Sequence, residues 1–192
     1  MKRTGRPSIL TLILVLSMTA AAVPGLGRAP APEFDQPLLI TSAGMGPEVQ
    51  LAVILAKRAG LDHKLLKEAE PADLAGFKTL AVVVGASLKG LGAAGLDVTK
   101  EKERVAAVLG EARDKGIPVI VLHLGGEARR GELTDEMVEA CLPAAKLAVV
   151  LKSGNKDGLF TRICEASAVP LVEVEKTADT ADVLKSAFKS KT

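Results

Sequence analysis

The sequence predicts a single α/β domain built on one doubly wound, mainly parallel sheet of about five or six strands, with helices on both faces, as in flavodoxin-like or Rossmann-like folds. Two observations support this prediction. Continuous apolar runs such as 79–85 and 146–151 are typical of strands buried on both faces of a parallel sheet. Segments with helical periodicity separate the runs, so strand and helix alternate without an internal repeat.

The first strand–helix pair lies at 37–43 and at about 47–59. Pro47 suits the first helical turn, Glu48 suits the positive end of the helix dipole, and Gly60 stops the helix. Its expected apolar face consists of Leu51, Ile54, Leu55 and the stem of Arg58. A more exposed strand at 62–67 and a short helix or turn at 71–77 follow.

The central part of the chain begins with the strand at 79–85. A glycine-rich loop at 89–95 leads to a helix capped by Thr99, and Gly116 ends that helix. The apolar positions of the helix are Val105, Val108, Leu109 and Ala112. The next strand spans 117–123.

The last third of the chain continues the alternation. Thr134 is expected to cap a helix with an apolar face formed by Met137, Val138, Cys141 and Leu142. A strand at 146–151 and a helix capped by Asp157 and extending to Ala168 follow. A final strand at 169–174 and a helix at 178–189 complete the prediction.

The amino terminus has the pattern of a secretory signal peptide. Lys2, Arg3 and Arg6 precede an apolar run at 9–18 and a small-residue site at 20–22. The apolar run is shorter than the roughly 20 residues of a spanning helix. We therefore expect an exported protein, periplasmic or extracytoplasmic, with no stable membrane span after cleavage, although an uncleaved anchor is the alternative.

The expected domain organisation is a signal peptide at 1–22, a flexible leader rich in Pro, Gly and Ala at 23–36, and a single α/β domain at 37–192. Cleavage after Ala22 or after the later small-residue site ending at Ala31 fits the pattern.

Charge and composition argue against several classes of partner. Removal of residues 1–22 changes 25 basic and 23 acidic residues to 22 and 23, a net charge of −1, and the chain has no Trp or Tyr. Neither the electrostatics nor the stacking platforms of a nucleic-acid-binding protein are present. With two histidines and no closely spaced cysteines, the sequence predicts no metal site. Cys141 and Cys164 are either a disulfide or two buried core residues.

A polar loop that follows the strand at 117–123 is the best candidate site. It contains His123, Gly125, Gly126, Glu127, Arg129 and Arg130. Paired guanidinium groups bind carboxylates or phosphates, and glycines let backbone N–H groups approach an anion. The alternative, without a binding role, is a turn with solvated arginines and a structural histidine.

A second polar loop ends the next strand and supplies Asn155, Lys156 and Asp157. Its alternative interpretation is a tight turn with Asp157 as a helix cap. Both loops follow strands, so we expect them at the carboxyl edge of the sheet.

The sequence predicts no cofactor. Gly44-Met45-Gly46 resembles the start of a dinucleotide fingerprint, but Val49 occupies the third glycine position. No Walker lysine follows these residues, and no Gly-x-Ser-x-Gly elbow occurs in the chain.

The chain resembles a family of exported bacterial proteins known only as a domain of unknown function. The resemblance rests on the signal peptide, on 39–44 (Leu-Ile-Thr-Ser-Ala-Gly), on 125–131 (Gly-Gly-Glu-Ala-Arg-Arg-Gly) and on 154–158 (Gly-Asn-Lys-Asp-Gly). It implies an exported single-domain protein with no assigned activity, and it supplies no catalytic residues.

Together these observations favour a binding domain over an enzyme. The hypothesis is a small anionic or polar ligand held between the two polar loops, with charge from Arg129, Arg130 and Lys156. One alternative is a hydrolase that uses His123 as a base. The other is an interaction protein that docks an envelope or transporter partner.

Overall fold

The computed structural model describes residue 1 and residues 34–189. The predicted signal peptide after Met1 and leader residues 23–33 lie outside the described residues. The structure contains six strands, β1 (Leu38–Ala43), β2 (His63–Leu65), β3 (Thr79–Val84), β4 (Val119–His123), β5 (Leu147–Leu151) and β6 (Leu171–Val174). They form one parallel sheet in the order β2-β1-β3-β4-β5-β6, which confirms the predicted fold class.

Helices cover both faces of the sheet. The helices are α1 (Val49–Arg58), α2 (Leu88–Ala93), α3 (Val98–Asp114), α4 (Glu132–Cys141), α5 (Leu159–Ala166) and α6 (Thr180–Ala187). One apolar core lies under α1 and α6, and the other lies under α3, α4 and α5.

The strand order is that of flavodoxin-like sheets rather than Rossmann sheets. After β1 the chain first adds β2 on one side, then returns to place β3 on the other side of β1. The order of the sheet therefore reverses between β1 and β3. Open α/β sheets bind ligands outside the carboxyl ends of the strands at such a switch point.

Apolar strands separate the two cores. Every residue of β1, β3 and β4 is buried, as their continuous apolar sequences predict. Alternate side chains of β1 go to opposite cores: Leu38 and Ile40 to one, and Leu39 to the other. Each fully buried side chain of this kind contributes about 1.5–3 kcal/mol to stability.

The apolar face predicted for α1 is wrong except at Leu55. Leu51 and Ile54 are 40% and 62% exposed, whereas the helix packs on the sheet through small residues. Its buried residues are Val49, Ala52, Leu55 and Ala56. Alanine brings the helix axis close to the sheet, so the buried face is shifted from the one that the larger side chains indicate.

The glycine-rich segment predicted as a loop at 89–95 is mostly helical. Helix α2 begins after Ser87, whose hydroxyl accepts a hydrogen bond from the amide of Gly90 at 3.0 Å. Capping by the Ser87 side chain offsets the low helix propensity of glycine. The shorter elements also have narrower bounds than predicted, and the segment at 71–77 contains only a 3₁₀ helix, Pro71–Leu74.

Three helix caps differ from the sequence prediction. Asp97, not Thr99, caps α3 by accepting a hydrogen bond from the amide of Lys100 at 2.8 Å. Gly131 precedes α4, so Thr134 lies inside that helix. Gly158 precedes α5, although the Asp157 carboxylate still accepts a hydrogen bond from the amide of Leu159 at 3.2 Å.

The two cysteines are free and buried. Burial raises the pKa of Cys141 to about 12 and that of Cys164 to about 11. Both thiols belong to the core beneath α3, α4 and α5. The sequence left open a disulfide or two buried core residues, and the structure shows the second.

Among the described residues, no helix combines the length and the apolar character that crossing a membrane requires.

Candidate functional site

The two predicted polar loops meet at the carboxyl edge of the sheet. The first leaves β4 at His123 and passes through a 3₁₀ helix, Glu127–Arg129, before α4. The second leaves β5 and forms another 3₁₀ helix, Lys152–Gly154, before α5. Because β4 and β5 are parallel neighbours, both loops start from the same edge.

Glycine permits the close approach of the two loops. A Cβ atom on Gly126 would lie 2.4 Å from the Ser153 hydroxyl, and the backbone at Gly126 has a φ of +60°. A Cβ atom on Gly154 would lie 2.7 Å from the His123 ring. Any larger side chain at either position would separate the loops, so these glycines have a packing role.

His123 lies beneath the two loops and is fully buried. Its Nδ1 lies 3.0 Å from the carbonyl oxygen of Val84, and its Nε2 lies 3.2 Å from that of Gly126. A neutral imidazole has one N–H, so it donates to one of these carbonyls at a time. Burial lowers the pKa of His123 and so favours this neutral form. The ring joins the end of β3 to the loop after β4.

Arg130 joins the two loops. Its Nε donates to Asp135 at 2.7 Å, and its two terminal nitrogens donate to Asp157 at 3.0 and 2.9 Å. It also donates to the carbonyl of Gly154, and its guanidinium lies 5.4 Å from the centre of the Phe160 ring. The hydrogen bonds to both carboxylates raise the pKa of Arg130, while the hydrogen bond from Arg130 lowers that of Asp157 to about 2.

The side chain of Asn155 forms its hydrogen bonds with residues of α5 and β6. Its amide nitrogen donates to Thr161 at 2.8 Å and to Glu173 at 2.9 Å, and its carbonyl accepts from the backbone amide of Phe160 at 3.0 Å. The residue is 8% exposed. Asn155 therefore fixes the start of α5 to β6.

A pocket of about 240 Å³ lies between the loops and contains most of the exposed predicted residues. We call it the two-loop pocket. It is lined by Glu127, Arg130, Asp135, Ser153, Gly154, Lys156 and Asp157. At its rim, Lys156 donates a hydrogen bond of 2.5 Å to Glu127, and both side chains are about two-thirds exposed, at 65% and 67%.

Arg129 does not line the two-loop pocket. It forms an ion pair through Nε with Glu48, at the start of α1, and its side chain is 41% exposed. Sequence reasoning assigned Glu48 only to the helix dipole. The structure places it between the loops that follow β1, β3 and β4.

Three glycines surround the Glu48 carboxylate. A Cβ atom on Gly46 would lie 2.3 Å from Oε2, one on Gly85 would lie 3.0 Å from the same atom, and one on Gly125 would lie 3.2 Å from Oε1. We call Glu48, Arg129 and these glycines the Glu48 site. It lies at the switch point between β1 and β3.

A buried ion pair supports the loop that leads to Glu48. The Glu101 carboxylate accepts a hydrogen bond from the amide of Gly44 at 2.8 Å and two from Arg104, at 2.8 and 2.9 Å. Arg104 donates further to the carbonyls of Ser42 and Ala69. Both side chains are almost completely buried, with 0% and 5% exposure. No buried side-chain nitrogen or oxygen of Glu101 or Arg104 lacks a hydrogen-bond partner.

Thr134 connects α4 to the same region. Its hydroxyl accepts a hydrogen bond from the amide of Ala86, directly after β3, at 3.0 Å. The sequence pattern indicated a helix cap at Thr134, and no sequence signal revealed this long-range contact.

A larger and more open groove, of about 1180 Å³, lies at the opposite edge of the sheet. It runs along the carboxyl end of α3 and the amino ends of β4 to β6, and much of its wall consists of Ala, Gly and Pro. Its size exceeds that of the two-loop pocket, but it contains none of the converging polar groups described above. Ligand sites of parallel sheets lie at the carboxyl edge.

Within the described part of the chain, no three His, Cys, Asp or Glu side chains are grouped so that they could hold a metal ion.

Fold and site together define an α/β protein with a flavodoxin-like strand order and with polar loops converging on the carboxyl edge of its sheet. The family described as "Domain of unknown function (DUF6305)" matches residues 35–188, and the chain belongs to this family. No match is found among the curated proteins.

Solved structures give distant similarities. An archaeal fructose 1,6-bisphosphate aldolase is 14% identical, with 77% of this chain and 79% of that chain covered and a TM-score of 0.35. A GDSL-like lipase from Bacteroides thetaiotaomicron VPI-5482 is 11% identical, with 71% and 66% covered and a TM-score of 0.33. The SGNH-hydrolase family esterase AlinE4 is 11% identical, with 77% of each chain covered and a TM-score of 0.30. Similarities at this level carry no argument about function.

Proposed function

We propose that this domain binds a small polar ligand in the two-loop pocket and that it acts outside the cytoplasm. The observation that supports the binding proposal most directly is the pocket itself, which lies where two loops from neighbouring parallel strands converge. Polar side chains from both loops line it. Sites of this kind are common at the carboxyl edge of α/β sheets.

The charges of the pocket favour a polar ligand over a strongly anionic one. Its lining includes three carboxylates, those of Glu127, Asp135 and Asp157, and two cations, Arg130 and Lys156. Arg130 already donates to both Asp135 and Asp157. An anion would therefore have to compete with two carboxylates for the same guanidinium.

Three exposed side chains would contact the ligand. Lys156 supplies hydrogen-bond donors, Glu127 supplies acceptors, and Ser153 supplies both. Arg130, Asn155 and His123 would act indirectly, by keeping the loops in place. A ligand with hydroxyl or amino groups matches this set of donors and acceptors.

The hydrolase alternative lacks comparable support. A general base has to come within hydrogen-bond reach of its proton donor. Both nitrogens of His123 instead face backbone carbonyls in a fully buried ring. A ligand would reach this ring only after displacement of the loop that covers it.

Thermal unfolding in the presence of small molecules tests the binding proposal. The panel contains sugars, polyols and amino sugars, together with carboxylates and phosphates as the anionic arm. A compound that binds the folded state raises the melting temperature. We expect at least one neutral or amino compound to do so, and we expect Lys156→Ala and Glu127→Ala to reduce the shift.

Lys115→Ala is the matched control. Like Lys156, Lys115 forms one ion pair at the surface, with Glu111 at 2.8 Å, but it follows α3 at the opposite edge of the sheet. Its variant should retain the full shift. No shift with any compound, or equal shifts in all three variants, would refute binding in the two-loop pocket.

Export is supported by the basic and apolar pattern at the amino terminus. A fusion of residues 1–36 to alkaline phosphatase, which is active only after export, tests it. We expect phosphatase activity that is lost when Leu14 and Leu16 are replaced by charged residues. An inactive parent fusion would contradict export.

A further inference from the structure

The Glu48 carboxylate is buried at the switch point with one oxygen unused. Its side chain is 6% exposed. Of the three buried side-chain oxygens that lack a hydrogen-bond partner in the described residues, only Oε2 of Glu48 belongs to an ionisable group. Burying a carboxylate without satisfying its oxygens is costly, so such a group in a folded protein calls for a functional explanation.

The surrounding backbone is adapted to this carboxylate. Gly46, Gly85 and Gly125 come from three different loops, and a Cβ atom on any of them would lie 2.3–3.2 Å from a Glu48 oxygen. These loops follow β1, β3 and β4. The site is therefore assembled by the sheet and is not a property of the α1 amino terminus alone.

Among the described residues, Arg129 is the only one that forms an ion pair with Glu48. It pairs through Nε, and none of the described residues accepts a hydrogen bond from its two terminal nitrogens. Its side chain crosses Gly125, where a Cβ atom would lie 2.3 Å from the Arg129 Cγ. Arg129 thus covers one side of the carboxylate and is itself 41% exposed.

We propose that the Glu48 site binds a small zwitterion that carries an ammonium group beside a carboxylate, the chemistry of an α-amino acid. The ligand ammonium donates to Glu48, including Oε2, and the ligand carboxylate accepts from the terminal nitrogens of Arg129. Two charge-assisted sets of hydrogen bonds form, and the Glu48–Arg129 pair loosens to admit the ligand.

Charge balance selects a zwitterion over simpler ions. A plain anion would draw Arg129 away and leave Glu48 as a buried charge without a partner, which is strongly unfavourable. A plain amine would satisfy Glu48 but leave the Arg129 terminal nitrogens unused. A zwitterion gives each charge a partner without changing the net charge of the site.

This site is separate from the two-loop pocket, whose lining includes neither Glu48 nor Arg129. The inference therefore does not depend on the ligand proposed for that pocket. A substitution in one site is therefore expected to weaken ligand binding at that site and to leave binding at the other unchanged.

Isothermal titration calorimetry with the standard L-α-amino acids tests the proposal. We expect at least one to bind the parent protein. For that amino acid, the amine without the carboxylate and the hydroxy acid without the ammonium should each bind at least about tenfold more weakly, the effect of losing one charge-assisted hydrogen bond.

Two variants remove the two halves of the site. Glu48→Gln keeps the size of the side chain and removes its charge, and Arg129→Ala removes a half-exposed side chain. Each should weaken binding by at least about tenfold. Lys115→Ala, at the opposite edge of the sheet, should leave the affinity unchanged.

The melting temperature of Glu48→Gln distinguishes a binding carboxylate from a structural one. If the buried carboxylate serves a ligand, its replacement leaves the melting temperature of the free protein equal or higher, because a buried carboxylate with one oxygen lacking a hydrogen-bond partner is lost. A lower melting temperature in Glu48→Gln, with no amino acid bound by the parent, would assign the pair to stability alone and overturn the proposal. Equal affinities for the hydroxy acid and the amino acid would also overturn it.

Discussion

Arg130 binds Asp157 through both terminal guanidinium nitrogens, at 3.0 and 2.9 Å, although 27 positions separate the two residues in the sequence. The same guanidinium donates to Asp135 at the start of α4. This bidentate contact keeps the loop after β4 against the loop after β5. The shape of the two-loop pocket therefore depends on Arg130, whose guanidinium is already hydrogen-bonded to Asp135 and Asp157.

Replacement of Arg130 by Ala should destabilise the fold by about 2 kcal/mol, because Asp135 and Asp157 lose their charge-assisted hydrogen bonds. Urea unfolding followed by circular dichroism measures the change. Lys156→Ala is the control, since its ion pair with Glu127 is exposed and should contribute less than about 0.5 kcal/mol. Equal losses in the two variants would contradict the role of Arg130 in joining the loops.

Replacement of Glu101 by Gln should cost about 3 kcal/mol, because Arg104 would remain buried without a counter-charge. Lys102→Ala, which breaks a neighbouring ion pair with 44% and 40% exposure, should cost less than about 0.5 kcal/mol. Equilibrium denaturation measures both. A cost for Glu101→Gln as small as that for Lys102→Ala would show that the pair does not support the loop.

Stability should fall as the pH is lowered below about 6.5, the pKa of an unperturbed histidine. Burial lowers the pKa of His123 in the folded state, so the unfolded chain binds the proton more readily, and stability increases with pH in that range. The loss should level off once the pH is below the pKa of the folded state.

His123→Gln removes this titration and should flatten the dependence of the unfolding free energy on pH between 7 and 5, whatever its effect on stability at pH 7. An unchanged slope in His123→Gln would mean that other groups cause the pH dependence.

Both thiols should be protected from reagents in the native protein. Cys141 and Cys164 are 0% and 2% exposed, and burial raises the pKa of each thiol. Ellman's reagent should react at least about a hundredfold more slowly with the native than with the denatured protein. Denatured protein that shows two thiols only after reduction would contradict the free state of the cysteines.

The strands were predictable because parallel strands buried on both faces need little more than a continuous apolar run. Residues 79–84 show this clearly. The order of the strands was not predictable, because strand order depends on long-range pairing that no local pattern records. Only the structure identifies the switch point between β1 and β3.

Helix α1 shows a limit of periodicity. Its sequence offers large apolar residues at Leu51 and Ile54, but Ala52 and Ala56 face the sheet. Small residues carry little hydrophobic signal, yet they allow the closest packing. Helix α2 shows a second limit, because the cap supplied by Ser87 outweighs the glycine-rich pattern at 89–95 that indicated a loop.

The expectation that both polar loops lie at the carboxyl edge of the sheet matches the structure, but the sequence did not reveal how their side chains pair. Arg130 and Asn155 have the residue types of ligand contacts, but their partners within the fold satisfy them. Glu48 was overlooked because a glutamate at a helix start has an ordinary explanation. Its burial depends on glycines that come from three separate loops.

Amide chemical-shift mapping of the ¹⁵N-labelled protein, titrated with the panel compound that raises the melting temperature most, tests the central claim of a ligand site at the carboxyl edge of the sheet. We expect the largest shifts at residues 126–130 and 153–158, around the two-loop pocket. Shifts concentrated at residues 110–119 and 143–146, along the groove at the opposite edge, would contradict it.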